Sequence, residues 1–217
     1  MTALHVWYSR RVRRAGGAML EFGCGSTFRL TRLLEGRFEH YFGTDLDVVP
    51  EESIPPGVSF KPCTTTSIPY DDAMFDVVVI RSVMEHVEDP ARTFAELARV
   101  TKVGGEVLMN LPNKWDYVSV IARLSGPLKS KLLRVTRRPK WEDFPVVYRC
   151  NTKASLSRHA AVSGFVIEEF LPLPTQPSYL AFFVPFYVAG AVYQFLVSLL
   201  LLDVLQPSFV VRLKRVA

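Results

Sequence analysis

The chain has 217 residues, 49% of them hydrophobic, which is enough for one α/β domain with a full core and excludes overall disorder. Its formal net charge is +5, with the basic residues clustered, so an anionic neighbour is expected, either nucleic acid or acidic phospholipid. The three cysteines, Cys24, Cys63 and Cys150, are far apart and lack Cys-x-x-Cys spacing, so no disulfide framework, zinc site or other metal site is indicated and a reducing compartment is expected. The polar, basic start of the chain, residues 1–14, lacks the apolar core of a signal peptide.

Residues 5–14 read as a short basic helix with Val6, Trp7 and Val12 on its apolar side. Arg10, Arg11, Arg13 and Arg14 form either a solvated face or a membrane-facing one. Residues 18–22 are apolar apart from Glu21 and predict a central parallel strand. Gly23 and Gly25 follow, where a missing Cβ permits a sharp turn and close approach of a ligand. A helix is expected over 27–34, with Phe28, Leu30, Leu33 and Leu34 apolar. Strand, glycine turn and helix make the nucleotide-binding corner of an open α/β sheet.

The second strand is predicted over 40–44, ending at Asp45. This carboxylate lies about 20 residues after the glycine turn, where an acid meets the hydroxyls of a ribose. Three prolines between residues 48 and 57 argue against a long helix there. Strands follow at 58–61 and 75–80, the second rich in β-branched residues and suited to burial on both faces. Asp89 and Pro90 open a helix, with Phe94, Leu97, Ala98 and Thr101 on one face. Gly104 and Gly105 end it, and a fifth strand covers 106–111. This alternation predicts a doubly wound, mostly parallel sheet.

The pattern then changes. Residues 123–140 carry seven basic and no acidic side chains, with aliphatic residues between them. This reads as an interfacial segment on anionic lipid or as a solvated lid. Nucleic acid is disfavoured because stacking aromatics are missing there. Thr152 caps a helix reaching Ser163, and a sixth strand covers 165–170. His159, within that helix, is expected at the surface. No charged residue occurs from 170 to 202. Residues 178–202 are long enough for a membrane span. However, the strand expected over 208–215 must return to the main sheet, and Pro185 favours a bent element. A monotopic apolar insert lying in the membrane interface is therefore expected, with a helix buried in a dimer contact as the alternative.

Taken in order, Glu21-Phe22-Gly23-Cys24-Gly25, Gly43-Thr44-Asp45, Ile68-Pro69-Tyr70 before Phe75-Asp76, Glu85-His86-Val87-Glu88-Asp89-Pro90 and Arg99-Val100-Thr101-Lys102-Val103-Gly104-Gly105 form a set. This set resembles the S-adenosylmethionine-dependent methyltransferases with the seven-stranded Rossmann-like fold, in the branch that methylates small and lipid-linked acceptors. The likeness is strongest over 18–112. Tyr148-Arg149-Cys150-Asn151-Thr152 and Ala161-Val162-Ser163-Gly164-Phe165 resemble members with an apolar C-terminal insert.

The resemblance implies a single domain over 1–217, with a cofactor-binding core at 18–112, a basic insert at 113–147 and an apolar insert at 172–206. It implies strand order 3-2-1-4-5-7-6 with the last strand antiparallel. S-adenosylmethionine would be held by Glu21, at its amino group, and by the turn of Gly23, Cys24 and Gly25. Asp45 would take the ribose and Leu46 the adenine. Thr64 and Thr65 would line the adenine side, and Arg81 would supply backbone groups near the methionine. Thr27 stands where a third glycine often sits, and Thr64 where an Asp often contacts the adenine.

His86 follows the fourth strand on the ligand-binding edge and is the candidate base for a hydroxyl acceptor, because an imidazole exchanges protons near neutrality. Its alternative role is a structural hydrogen bond at a helix end. Tyr148 and Arg149 are candidates to border the acceptor. The expected acceptor is small or lipid-linked, on an anionic membrane at the cytoplasmic face. Two other readings share part of the pattern. A nicotinamide dehydrogenase shares the glycine turn and Asp45, but Thr27 and Glu21 weigh against it. A non-catalytic membrane-associated binding module would fit a degenerate cofactor site.

Overall fold

In the computed structural model, residues 2–12, 16–64, 66–117, 120, 145–174, 184–200 and 202–217 are described. The apolar run after the N-terminal helix α1 (Ala3–Arg11) forms β1 (Ala18–Phe22), buried at every position. The other strands are β2 (His40–Asp45), β3 (Val58–Pro62), β4 (Phe75–Arg81), β5 (Thr101–Pro112), β6 (Phe165–Leu173) and β7 (Ser208–Arg215). They form one seven-stranded sheet in the order β3-β2-β1-β4-β5-β7-β6. The pairings of β1 with β2 and β4, of β2 with β3 and of β4 with β5 are parallel. β7 lies antiparallel between β5 and β6. This is the expected order, with the last strand reversed.

Alternation along the strands sorts the core into two layers, because successive side chains point to opposite faces. Leu20, Phe22, Val78, Ile80 and Met109 pack with Phe94 and Leu97 of α3 (Pro90–Val100) and with Leu156 and Ala160 of α4 (Lys153–Val162). Met19, Val77, Val79, Leu108 and Val210 face the other way, onto Trp7, Tyr8 and Val12 at α1 and onto Leu30 of α2 (Arg29–Leu33). Asp89 caps α3 and Thr152 caps α4, each side-chain oxygen accepting from a backbone amide three residues on. Because β1 has β2 on one side and β4 on the other, the chain reverses direction there, and a crevice opens at the carboxyl ends of β1 and β4.

Several local expectations are corrected. The helix expected over 27–34 starts later: a 3₁₀ turn (Gly25–Thr27) leads to Phe28 in the left-handed region (φ 44), and α2 has only five residues. The buried Phe28 ring packs on Phe60 at 6.2 Å and fills the space a Cβ on Gly43 would need, so burial of this ring accounts for the break. β5 begins at Thr101 rather than 106, its register with β4 shifting between Phe75 and Val77 to absorb the Gly104 turn. β6 extends to Leu173. His159 is partly buried and stacks on Phe94 at 5.9 Å. The α1 arginines do not form one solvated face, since Arg11 pairs with Glu169 of β6. Arg13 and Arg14 lie outside the described residues.

The basic stretch 123–140 also lies outside the described residues. Of the apolar insert, α5 (Val184–Leu199) is described, and among the described residues no helix is long and apolar enough to cross a membrane. Sixteen residues reach about 24 Å, short of a hydrocarbon core of about 30 Å. The insert leaves from the end of β6 and returns at the start of β7, and Leu173 and Ser208 stand in register with Pro112 at the end of β5. It is thus rooted on the same edge as the crevice. Asn113 Nδ2 ties it down by donating to the carbonyls of Val204 (2.6 Å) and Gln206 (2.8 Å).

Candidate cofactor and acceptor site

Gly23 (φ 76) and Gly25 (φ 53) form the turn after β1. The amides of Gly23 and Cys24 both donate to Thr44 O, at 2.8 and 3.2 Å, which binds the turn to β2. A Cβ on Gly23 would sit 2.1 Å from Val83 Cγ2, so glycine is required there by packing as well as by backbone angle. A Cβ on Gly25 would meet nothing within 4 Å, so this glycine faces open space. Asp45, at the end of β2, leans over the turn, its Oδ2 accepting from Gly25 N at 2.7 Å and its Oδ1 from Asp47 N at 3.2 Å. Leu46 beside it is exposed. Cys63 N donates to Asp45 O at 2.8 Å, which holds the Thr64 loop against the same edge. Thr64 bridges Ser67 through its backbone. Thr65 lies outside the described residues.

Cys24 is buried with Phe28 and Val49, and burial, with help from the Glu21 and Asp45 carboxylates, pushes its thiol well above the ordinary range. It is a packing residue rather than a nucleophile. Glu21 is buried and both oxygens are engaged: Oε1 accepts from Leu30 N at 3.0 Å, and Oε2 accepts from Thr31 N and Thr31 Oγ1 at 2.7 Å each. Its direct partners are therefore in α2. Burial raises its carboxyl, and these bonds oppose that rise.

On the other side of the crevice, the turn after β4 carries Glu85 and His86. The His86 ring Nδ1 is 3.1 Å from Pro145 O. A carbonyl only accepts, so Nδ1 carries the hydrogen, and in the neutral ring Nε2 is the basic nitrogen. Nε2 lies 4.0 Å from Glu85 Oε1. The backbone oxygen of Glu85 accepts from Val147 N (2.8 Å) and Tyr148 N (3.1 Å), so the segment 145–148 is held against the turn. Burial pushes the Glu85 carboxyl up to about 7, and its Oε2 has no hydrogen-bond partner among the described residues.

The structure therefore brings Gly23, Cys24, Gly25, Asp45, Leu46 and Thr64 together at the carboxyl ends of β1, β2 and β3, and sets Arg81 and His86 across from them at and beyond the end of β4. Sequence reading assigned Arg81 only backbone groups, and it gave no role to Glu85 alone.

A family model described as a methyltransferase domain matches residues 20–109. Among curated proteins, the chain is 27% identical over 180 residues to a ubiquinone biosynthesis O-methyltransferase of Pseudomonas fluorescens, covering 79% of this chain and 74% of that one. It is 34% identical over 113 residues to a probable S-adenosylmethionine-dependent methyltransferase of Mycolicibacterium smegmatis, covering 50% of this chain and 44% of that one. Among solved structures, geranyl diphosphate C-methyltransferase from Streptomyces coelicolor, complexed with geranyl diphosphate and S-adenosyl-L-homocysteine, superimposes with a TM-score of 0.65 at 17% identity. That match covers 98% of this chain and 78% of that one.

Residues 20–109 thus match a methyltransferase domain, and they sit on a seven-stranded sheet with the fold of a solved methyltransferase structure. S-adenosyl-L-homocysteine, the demethylated form of S-adenosylmethionine, is bound in the Streptomyces coelicolor structure. The residues present fit that group: a glycine turn open at Gly25, a carboxylate at Asp45 suited to a diol, and the exposed Leu46 for an aromatic ring.

Proposed function

We propose that the protein transfers a methyl group to a hydroxyl oxygen of a small or lipid-linked acceptor, at the surface of an anionic membrane. The observation that carries this reading is the outer face of α5. Val184, Val188, Val192, Phe195 and Leu199 are all between 52% and 71% exposed. At 100° per residue they fall within about 80° of arc, a single stripe along the helix. The opposite face is held to the body: Val197 is buried, Tyr193 stacks edge-on with Tyr117 at 5.0 Å, and Gln194 Nε2 donates to Gln206 Oε1 at 2.6 Å.

A stripe with no polar atom suits hydrocarbon better than a protein partner, whose interface core is ringed by hydrogen-bonding groups. The net charge of +5 and the acid-free basic sequence at 123–140, which the chain enters just beyond Tyr117, complement an anionic headgroup layer. Because the insert is rooted on the crevice edge, lipid contact brings membrane-borne acceptors to the cofactor.

Bound S-adenosylmethionine supplies a methyl already activated on a sulfonium, so the chain's residues have mainly to position the acceptor. His86, with Nδ1–H held by Pro145 O, presents Nε2 to take the hydroxyl proton as the oxygen becomes bonded to carbon. Glu85 lies beside it and stabilises the imidazolium that forms. The likeness to an O-methyltransferase supports an oxygen acceptor over carbon.

Co-sedimentation with vesicles tests the membrane part. Binding to vesicles containing anionic lipid, weakened by salt and by Val188→Lys with Val192→Lys, is expected. A protein that ignores such vesicles, or that forms a dimer burying α5, contradicts it.

A further inference from the structure

α1 crosses the sheet from its carboxyl edge to its amino edge. Near the carboxyl edge the Tyr8 hydroxyl donates to Ile80 O at 2.5 Å. Towards the amino edge Arg37, three residues before β2, donates through Nη1 to Ser9 O and Val12 O. β6 runs the opposite way and ends beside Pro112, and Arg11 is forked onto its Glu169. Between this antiparallel helix and strand lies a cleft of about 220 Å³. Ala3, Val6 and Trp7 form its wall, and Arg10 continues the same helix face, since these positions are spaced by three and four. Leu171 and Leu173 form its floor with Val210 of β7, because alternation turns them to the α1 face of the sheet. β6 is the edge strand and Leu171 is 40% exposed, so the cleft opens sideways to the outside.

Polarity changes along the cleft. The end at Ala3 and Leu173 is apolar, and there the chain leaves the sheet for the insert that carries α5. Arg10 stands about 10 Å further along the helix. Arg11 is matched by Glu169, whereas Arg10 is exposed and pairs with no acid among the described residues. A membrane leaflet has the same gradient in the same direction. With α5 in the interface, the Leu173 end points to hydrocarbon and Arg10 stands at the level of headgroups.

Resting on the membrane reading above, we infer that the cleft between α1 and β6 seats one acyl chain of an anionic phospholipid, with its phosphate at Arg10. The cleft is smaller than the roughly 300–1,000 Å³ of sites that enclose compact small molecules, and its length along α1 suits a single extended chain. A guanidinium is matched to phosphate oxygens. Arg13 and Arg14 follow directly in the sequence and add to the attraction for an anionic layer. α1 is thereby a second membrane contact, separate from the stripe on α5.

Trp7 reports on the cleft it lines. In Trp115→Phe with Trp141→Phe it is the remaining tryptophan. The probe is vesicles of phosphatidylglycerol brominated on the acyl chains, because bromine in contact with an indole quenches its emission. Loss of Trp7 emission is expected with these vesicles and not with brominated phosphatidylcholine. Leu171→Asp is expected to abolish the quenching while the protein still sediments with vesicles through α5. Arg10→Gln is expected to weaken vesicle binding about 5-fold. If the double phenylalanine variant fails to fold, wild type and Leu171→Asp are compared with the same vesicles, and stronger quenching of the wild type is expected. Sedimentation with undiminished Trp7 emission overturns the inference and leaves the membrane reading standing. Quenching that persists in Leu171→Asp does the same, as does an affinity indifferent to Arg10→Gln. Equal quenching by brominated phosphatidylcholine removes the anionic headgroup, and quenching by brominated fatty acid alone assigns the cleft to a free ligand; either overturns it. A folded protein that binds no vesicles overturns both this inference and the membrane reading.

Discussion

Asp45 and Glu85 show how differently two carboxylates behave on one sheet edge. Asp45 was legible in the sequence, because its distance from the glycine turn and its place at a strand end are both readable. Asp45→Asn keeps the shape and removes the charge, so S-adenosylhomocysteine affinity is expected to fall about 10-fold or more by calorimetry, with little change in melting temperature. Glu85 was legible only as part of a motif, because burial is a tertiary property. Its folded-state carboxyl is raised to about 7 from an ordinary 4.5, so the folded state binds the proton more tightly. Its contribution to stability is full below about pH 4.5 and is lost as pH rises through 7, a loss on the order of 3 kcal/mol. Glu85→Gln is therefore expected to match wild type in urea unfolding near pH 4.5 and to exceed it at pH 8. Equal stability at pH 8 would show that the carboxyl ionises without penalty.

At the scale of elements, strands were easier to read than the short helices between them. β1, β2 and β4 are defined by apolar runs and glycine boundaries that the sequence carries openly. The segment 27–34 has helical spacing, but its first apolar residue, Phe28, is drawn into a left-handed turn by long-range packing on Phe60 and Gly43. No local pattern encodes that contact. α1 reads as a basic helix, but its place is fixed by Tyr8 reaching Ile80, 72 residues away. Tyr8→Phe is expected to cost about 1–2 kcal/mol in chemical denaturation. The stripe on α5 follows the opposite logic: Val188→Lys with Val192→Lys replaces exposed side chains and is expected to leave the melting temperature within about 1–2 °C of wild type while vesicle binding drops.

Taken as a whole, the molecule is a sheet whose one working edge gathers three things: the glycine turn, the Glu85–His86 turn, and both roots of an insert that carries apolar side chains outward. The alternating pattern gave the doubly wound sheet, and the family resemblance gave its strand order with the reversed β7. Position on the edge was not legible, because it depends on the register that sets Pro112, Leu173 and Ser208 side by side. The most direct measurement of the account is transfer of labelled methyl from S-adenosylmethionine into total lipid extract presented in anionic vesicles. The expected result is label in the organic-soluble fraction, reduced at least 10-fold by His86→Gln and by the double lysine substitution on α5. Label confined to water-soluble acceptors, at a rate indifferent to vesicles and to α5, would contradict it.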